Sequence, residues 1–103
     1  MITLSRLSTE YVQVQVSFTV AGAPVSPTGD TVVMAFTKGG AIPGNSDWHP
    51  AVWEVTGATY YAQCLVGPAN GGIVLAPGIW SVWVRVTDSP EVPVRSPAQL
   101  QIT

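Results

Sequence analysis

The stretch "YVQVQVSFTV", residues 11–20, alternates without a break for ten residues. Val12, Val14, Val16, Phe18 and Val20 fall on one face, and Tyr11, Gln13, Gln15, Ser17 and Thr19 on the other. A helix repeats its apolar positions every three or four residues, so this run predicts a strand with one buried face. The same period of two recurs along the chain. "TVVMAFT" sends Val32, Met34 and Phe36 inward. Its outward Val33 and Ala35 are also apolar, which predicts a strand covered on both faces. "AVWEV" sets Ala51, Trp53 and Val55 against Val52 and Glu54. In "TYYAQCLV", Tyr60, Ala62, Cys64 and Val66 share a face. "IWSVWVRVT" places Trp80, Val82, Val84 and Val86 inward, with Ser81, Trp83, Arg85 and Thr87 outward.

These runs and the two ends, "ITL" and "LQI", give seven short segments at 2–6, 11–20, 31–38, 50–55, 59–66, 79–88 and 98–103. Between them lie turn formers: "AGAPVSPTGD", "KGGAIPGNSD", "TG", "GPANGGIVLAPG" and "SPEVPVRSP". No window carries a capped stripe of helical period. The pattern predicts an all-β chain: a single immunoglobulin-like β-sandwich of about seven antiparallel strands, with residues 1–103 as one domain. The Cys–Trp–Cys signature of antibody domains is missing, and a small closed barrel is the neighbouring alternative. Pro77 and Gly78 suit the two central positions of a type II turn. The "SPEVPVRSP" strap has three prolines that cannot donate to a ladder, and it is expected to run as an edge segment beside the final strand.

Only 10% of the residues are charged, against about 25% in ordinary domains. A surface this neutral is poorly suited to a free protein at high concentration and suits a subunit held in an assembly. The four basic residues, Arg6, Lys38, Arg85 and Arg95, are scattered and offer no track for a phosphate backbone, so nucleic acid is not an expected partner. The start, "MITLSRLSTE", lacks a basic region followed by an apolar run, and no stretch approaches the ~20 apolar residues of a membrane span. The expectation is synthesis in the cytoplasm without a signal peptide, and no membrane partner.

Catalytic chemistry finds little support. Ser46, Asp47 and His49 sit too close in sequence for the usual triad, whose members come from separate segments. They read as a polar loop with Trp48 as its anchor. One histidine, one cysteine and dispersed carboxylates do not make a metal site, and no cofactor is expected. "KGG" and "NGG" lack the Lys-Ser/Thr of a phosphate loop. Cys64 reads as a small core residue. The chain is not expected to be an enzyme.

The aromatics carry more information. Trp80 and Trp53 read as core, and the Trp80 indole N–H needs a partner if buried. Trp83 and Tyr61 fall on outward faces, and two strands of one sheet would set Trp83, Arg85 and Tyr61 side by side. Trp, Tyr and Arg are enriched where proteins meet. The candidate partner interface is therefore Trp83, Arg85, Tyr61, Trp48, Glu91 and Arg95. Two other roles remain open for Trp83: coverage by the chain's own long loop "GPANGGIVLAP", and a sugar-stacking platform with Trp48 and Tyr61. Loops 39–50 and 67–78 and the 88–97 strap are the candidate contact loops.

Four strings carry a resemblance: "GDTVVMAF" at 29–36, "SDWH" at 46–49, "YYAQCLVGP" at 60–68 and "WVRVTDSPEVPVR" at 83–95. Together they resemble small immunoglobulin-like virion structural proteins encoded by tailed phages and prophages of actinobacteria. The similarity spans most of the chain, and the last string is the most specific. The resemblance implies a place in the virion. The expected role is a capsid-decorating or minor capsid protein, present in many copies or as a homo-oligomer and bound to the major capsid protein. The alternatives are a neck or tail accessory subunit forming a ring at the head–tail junction, and a carbohydrate-binding module on a tail tip.

Overall fold

The computed structural model describes residues 2–16, 18–20, 23–25, 31–57, 59–87 and 94–103. They form strands and connectors, with no helix among them. The strands are β1 (Ile2–Leu4), β2 (Glu10–Val16), β3 (Phe18–Val20), β4 (Ala23–Val25), β5 (Thr31–Lys38), β6 (Trp48–Pro50), β7 (Val52–Thr56), β8 (Thr59–Val66), β9 (Gly78–Thr87) and β10 (Val94–Ile102). One sheet has five strands in the order β1-β10-β9-β5-β6. The second has three, β2-β8-β7, and β3 and β4 form a separate hairpin.

Alternation dictates how the two sheets stack. The inward positions of the large sheet are Leu4, Val32, Met34, Phe36, Val82, Val84, Val86, Leu100 and Ile102; those of the small sheet are Val12, Val14, Ala62, Cys64 and Val66. All belong to one buried cluster, with Trp53 and Trp80 packed against its margin. Each fully buried valine contributes about 1.5–3 kcal/mol. The Cα radius of gyration is 13.8 Å, close to the ~13 Å of a compact chain of this length.

Several boundaries differ from the sequence reading. The segment expected at 11–20 divides into β2, which pairs with β8 from Glu10 to Val16, and β3, which turns back on β4. The segment expected at 50–55 also divides. Trp48–Pro50 pairs with β5 in the large sheet and Val52–Thr56 with β8 in the small one. Only Ala51 lies between, and its N–H donates to the Val32 carbonyl at 3.1 Å, tying the crossing to β5. Not every pairing is antiparallel, because β1 runs parallel to β10.

The described part of the proline-rich strap is not a separate segment beside the final strand. Val94–Pro97 are the first part of β10 itself, and residues 88–93 lie outside the described residues. Between Arg95 and Ala98 the register with β9 slips by one residue. Pro97 falls in that irregularity, where a missing N–H removes no ladder bond. Gly78 begins β9 with φ 140°, well past the ~+80° of a type II turn, so the expected Pro77–Gly78 turn does not form.

Candidate partner interface

The outward side of β9 faces away from the core beside the outward sides of β5 and β6. Register sets the contents of this face. Trp48 on β6 pairs with Ala35 on β5, and Ala35 pairs with Trp83 on β9. Two tryptophans therefore flank one alanine across three strands. Ala35 points away from the core yet has 0% of its surface exposed. This meets the expectation that β5 is covered on both faces, and the indoles on either side of the small side chain account for it.

Polar groups fix both rings. The Trp83 Nε1–H donates to the Thr37 hydroxyl at 2.9 Å, and that hydroxyl donates to the Ala41 carbonyl at 2.6 Å. Thr37 lies on the same side of β5, two residues beyond Ala35, and is buried. This chain of bonds links the sheet face to the loop 39–47. Arg85 is two residues beyond Trp83 on the same side of β9, and its guanidinium lies 4.6 Å from the centroid of the Trp48 ring. A cation stacked on an indole gains about 0.5–1 kcal/mol when exposed and more when desolvated. Trp48, Trp83 and Arg85 are all half-buried, so each keeps part of its surface exposed. The result is an aromatic–guanidinium face in which Trp83 is held by a hydrogen bond and Trp48 by a stacked cation.

A second ring and cation lie at the end of the same sheet. Lys38 is 5.5 Å from the Trp80 ring centroid, and the Trp80 Nε1–H donates to the Ala76 carbonyl at 2.9 Å. That bond gives the indole N–H of the half-buried Trp80 its partner.

The remaining candidates separate. Tyr61 does not lie beside Trp83. It belongs to β8 in the other sheet and points away from the core there, between Gln15 and Glu54 in register. The two sheets turn their outer faces in opposite directions, so one partner surface cannot meet Tyr61 and Trp83 together. Arg95 lies in β10 at the position paired with Val84. Glu91 is outside the described residues. Trp48 is not a loop anchor but the first residue of a strand. The sequence reading missed Thr37 as the tether of Trp83; its place on the outward side of "TVVMAFT" was the available signal.

Loops 5–9, 39–47 and 67–77 gather at one end of the molecule. Lys38 pairs with Trp80, Gly78 with Ile102 and Ile102 with Leu4, which brings the ends of β5, β9, β10 and β1 together. The loop 67–77 crosses the 5–9 loop there, with the Ala69 N–H donating to the Thr9 hydroxyl at 3.0 Å. Leu7, Ile42 and Val74 stand out from these three loops, at least 75% exposed. Thr87, which leads into residues 88–93, lies at the opposite end, paired with Thr31. Loops 39–47 and 67–77 thus share an end, while the described start of β10, with Val94 paired to Arg85, lies toward the other.

Burial pushes the Cys64 thiol up from 9.0 to about 11, and its S–H donates to the Pro50 carbonyl at 3.3 Å. Asp47 is taken up by its own loop, accepting the Gly44 N–H at 2.7 Å. Among the described residues no three His, Cys, Asp or Glu side chains cluster as a metal site would require. No protein-family model matches the chain, and no curated protein and no solved structure matches it either.

Proposed function

We propose that the chain is an immunoglobulin-like structural module of a tailed-phage or prophage virion, docked on a neighbouring protein through the outer face of its five-stranded sheet. The reading takes it as a capsid-decorating or minor capsid protein seated on the major capsid protein, with no reaction to perform. The observation that carries it is the origin of the Trp48–Ala35–Trp83–Arg85 face. Three of the four strings that resemble virion proteins supply it: 29–36 gives Ala35, 46–49 gives Trp48, and 83–95 gives Trp83 and Arg85. Restrained aromatic and arginine side chains are the usual anchors of protein contacts, because little freedom is lost when they dock. The immunoglobulin-like assignment is supported by strand order. The set β2-β8-β7 facing β10-β9-β5-β6 has the order B-E-D against G-F-C-C′.

A sugar-stacking role for Trp48, Trp83 and Tyr61 loses support, since Tyr61 faces the other way and Arg85 already occupies a face of the Trp48 ring. A neck or tail ring would use the same docking face and differs in copy number. The test is incorporation into particles. Arg85→Glu is expected to keep the fold, as circular dichroism and urea unfolding check, and to deplete the chain from purified particles. Copy number in wild-type particles then separates decoration, with hundreds of copies, from a ring of about six or twelve. Undiminished incorporation of Arg85→Glu overturns the docking face.

A further inference from the structure

Four strand edges bound the two sheets: β1 and β6 in the large one, β2 and β7 in the small one. Proteins protect such edges with short strands, proline, bulges or charge. Here β1 and β6 have three residues each, and β6 ends in Pro50. The five-residue β7 carries Glu54 at its centre. β2 has none of these devices. Its seven residues, "EYVQVQV", pair with β8 without a break in register, and the one charge, Glu10, is at the end. Among the described residues no strand but β8 pairs with it.

Among the described residues, the stacking of the sheets leaves room for one strand beside this edge. β2 packs against β10, and β8 and β7 pack against β5. β1 lies one place further out than β10, about 4.8 Å beyond. The large sheet therefore projects one strand past β2 and forms a ledge, with Ile2 half-buried on its inner side. A second copy joined edge to edge through β2 would bring its own β10 beneath its own β2, into the space β1 holds. A single extended segment meets no such obstacle.

We propose that the free edge of β2 is a β-augmentation site for an extended segment of another polypeptide. Backbone hydrogen bonds to β2 supply the attachment, and alternate side chains supply selection. Inward positions of the segment rest on Ile2 and beside Val12 and Val14, so they are apolar. Outward positions lie beside Tyr11, Gln13 and Gln15, so they are uncharged and polar. Gln13 already donates from Nε2 to Gln63 Oε1 at 2.6 Å, an amide row that an outward amide on the added strand extends. This site is on the sheet opposite the docking face and stands apart from the function proposed above.

The test uses the full chain, isotopically labelled, with a capped peptide of alternating threonine and valine flanked by lysines. Saturable shifts and slowed hydrogen exchange of the Glu10–Val16 amides are expected, with β6 and β7 unaffected. A peptide of the same sequence with alternate backbone nitrogens methylated is expected not to bind. Tyr11→Lys/Gln15→Lys, which changes only exposed edge positions, is expected to weaken binding about tenfold or more. No saturable shift at millimolar peptide, shifts confined to another edge, or equal binding of the methylated peptide would overturn the site. Concentration-dependent dimerisation of the chain through β2 would overturn the assignment of its occupant.

Discussion

At the scale of residues, the unusual position is Trp83, a tryptophan on the polar side of a strand. Its indole covers Ala35 together with Trp48 and is held by Thr37. Trp83→Phe keeps most of the cover and loses the N–H, so it should cost about 1 kcal/mol. Trp83→Ala also uncovers Ala35 and should cost about 2–3 kcal/mol. Urea unfolding checks both; equal midpoints for the two variants would show that the hydrogen bond alone matters. Arg85→Ala should stay within about 1 kcal/mol of wild type, because the guanidinium caps a ring that remains half-exposed. Cys64 makes a prediction about pH. Its folded-state value, about 11, lies above its ordinary 9.0, so between the two the unfolded chain gives up a proton that the folded chain keeps. The resulting stability is whole below about pH 9 and is lost as pH rises through the folded value. Cys64→Ala should flatten that part of the stability–pH curve, and an unchanged curve would contradict the burial of the thiol.

At the scale of elements, the loop crossing at one end depends on a single missing side chain. A Cβ on Gly67, whose φ is 141°, would meet the Ser8 carbonyl oxygen and the Thr9 Cα. Both are backbone atoms and cannot swing aside. Gly67→Ala should therefore destabilise by about 2–4 kcal/mol, measured by thermal or urea unfolding. Gly40→Ala, with no atom within 4 Å of its added Cβ, bears only the conformational cost of its positive φ and should lose about 1 kcal/mol. The inward valines of β2 and β9 were legible in the sequence, because a period of two sorts faces whatever the tertiary context. The division of 50–55 was not legible. Strand period is continuous through Ala51, and only the bond from its N–H to Val32 marks where the chain leaves one sheet for the other. Tyr61 was misplaced beside Trp83 for a related reason. Parity says that a side chain points outward, but it does not say from which of two sheets. The Thr37 tether was written in the outward side of β5, yet its use depends on a loop carbonyl, Ala41, that alternation does not place.

At the scale of the whole molecule, a chain with 10% charged residues carries a pre-set Trp–Arg face on one sheet and, on the other, a strand edge that no other described strand pairs. Low charge gives such a domain little protection against self-association when free, and its neighbours in an assembly would cover the surfaces concerned. Isolated chain at high concentration should therefore self-associate more readily than a variant given extra exposed carboxylates, as light scattering would register. The docking claim has a direct test in hydroxyl-radical footprinting of the free chain and of intact particles. Tyr61 serves as the internal control because it faces away from Trp48 and Trp83. The account predicts that oxidation of Trp48 and Trp83 falls sharply in the particle while Tyr61 changes less. Equal oxidation of both tryptophans in the two states, or particles that lack the chain, would contradict it.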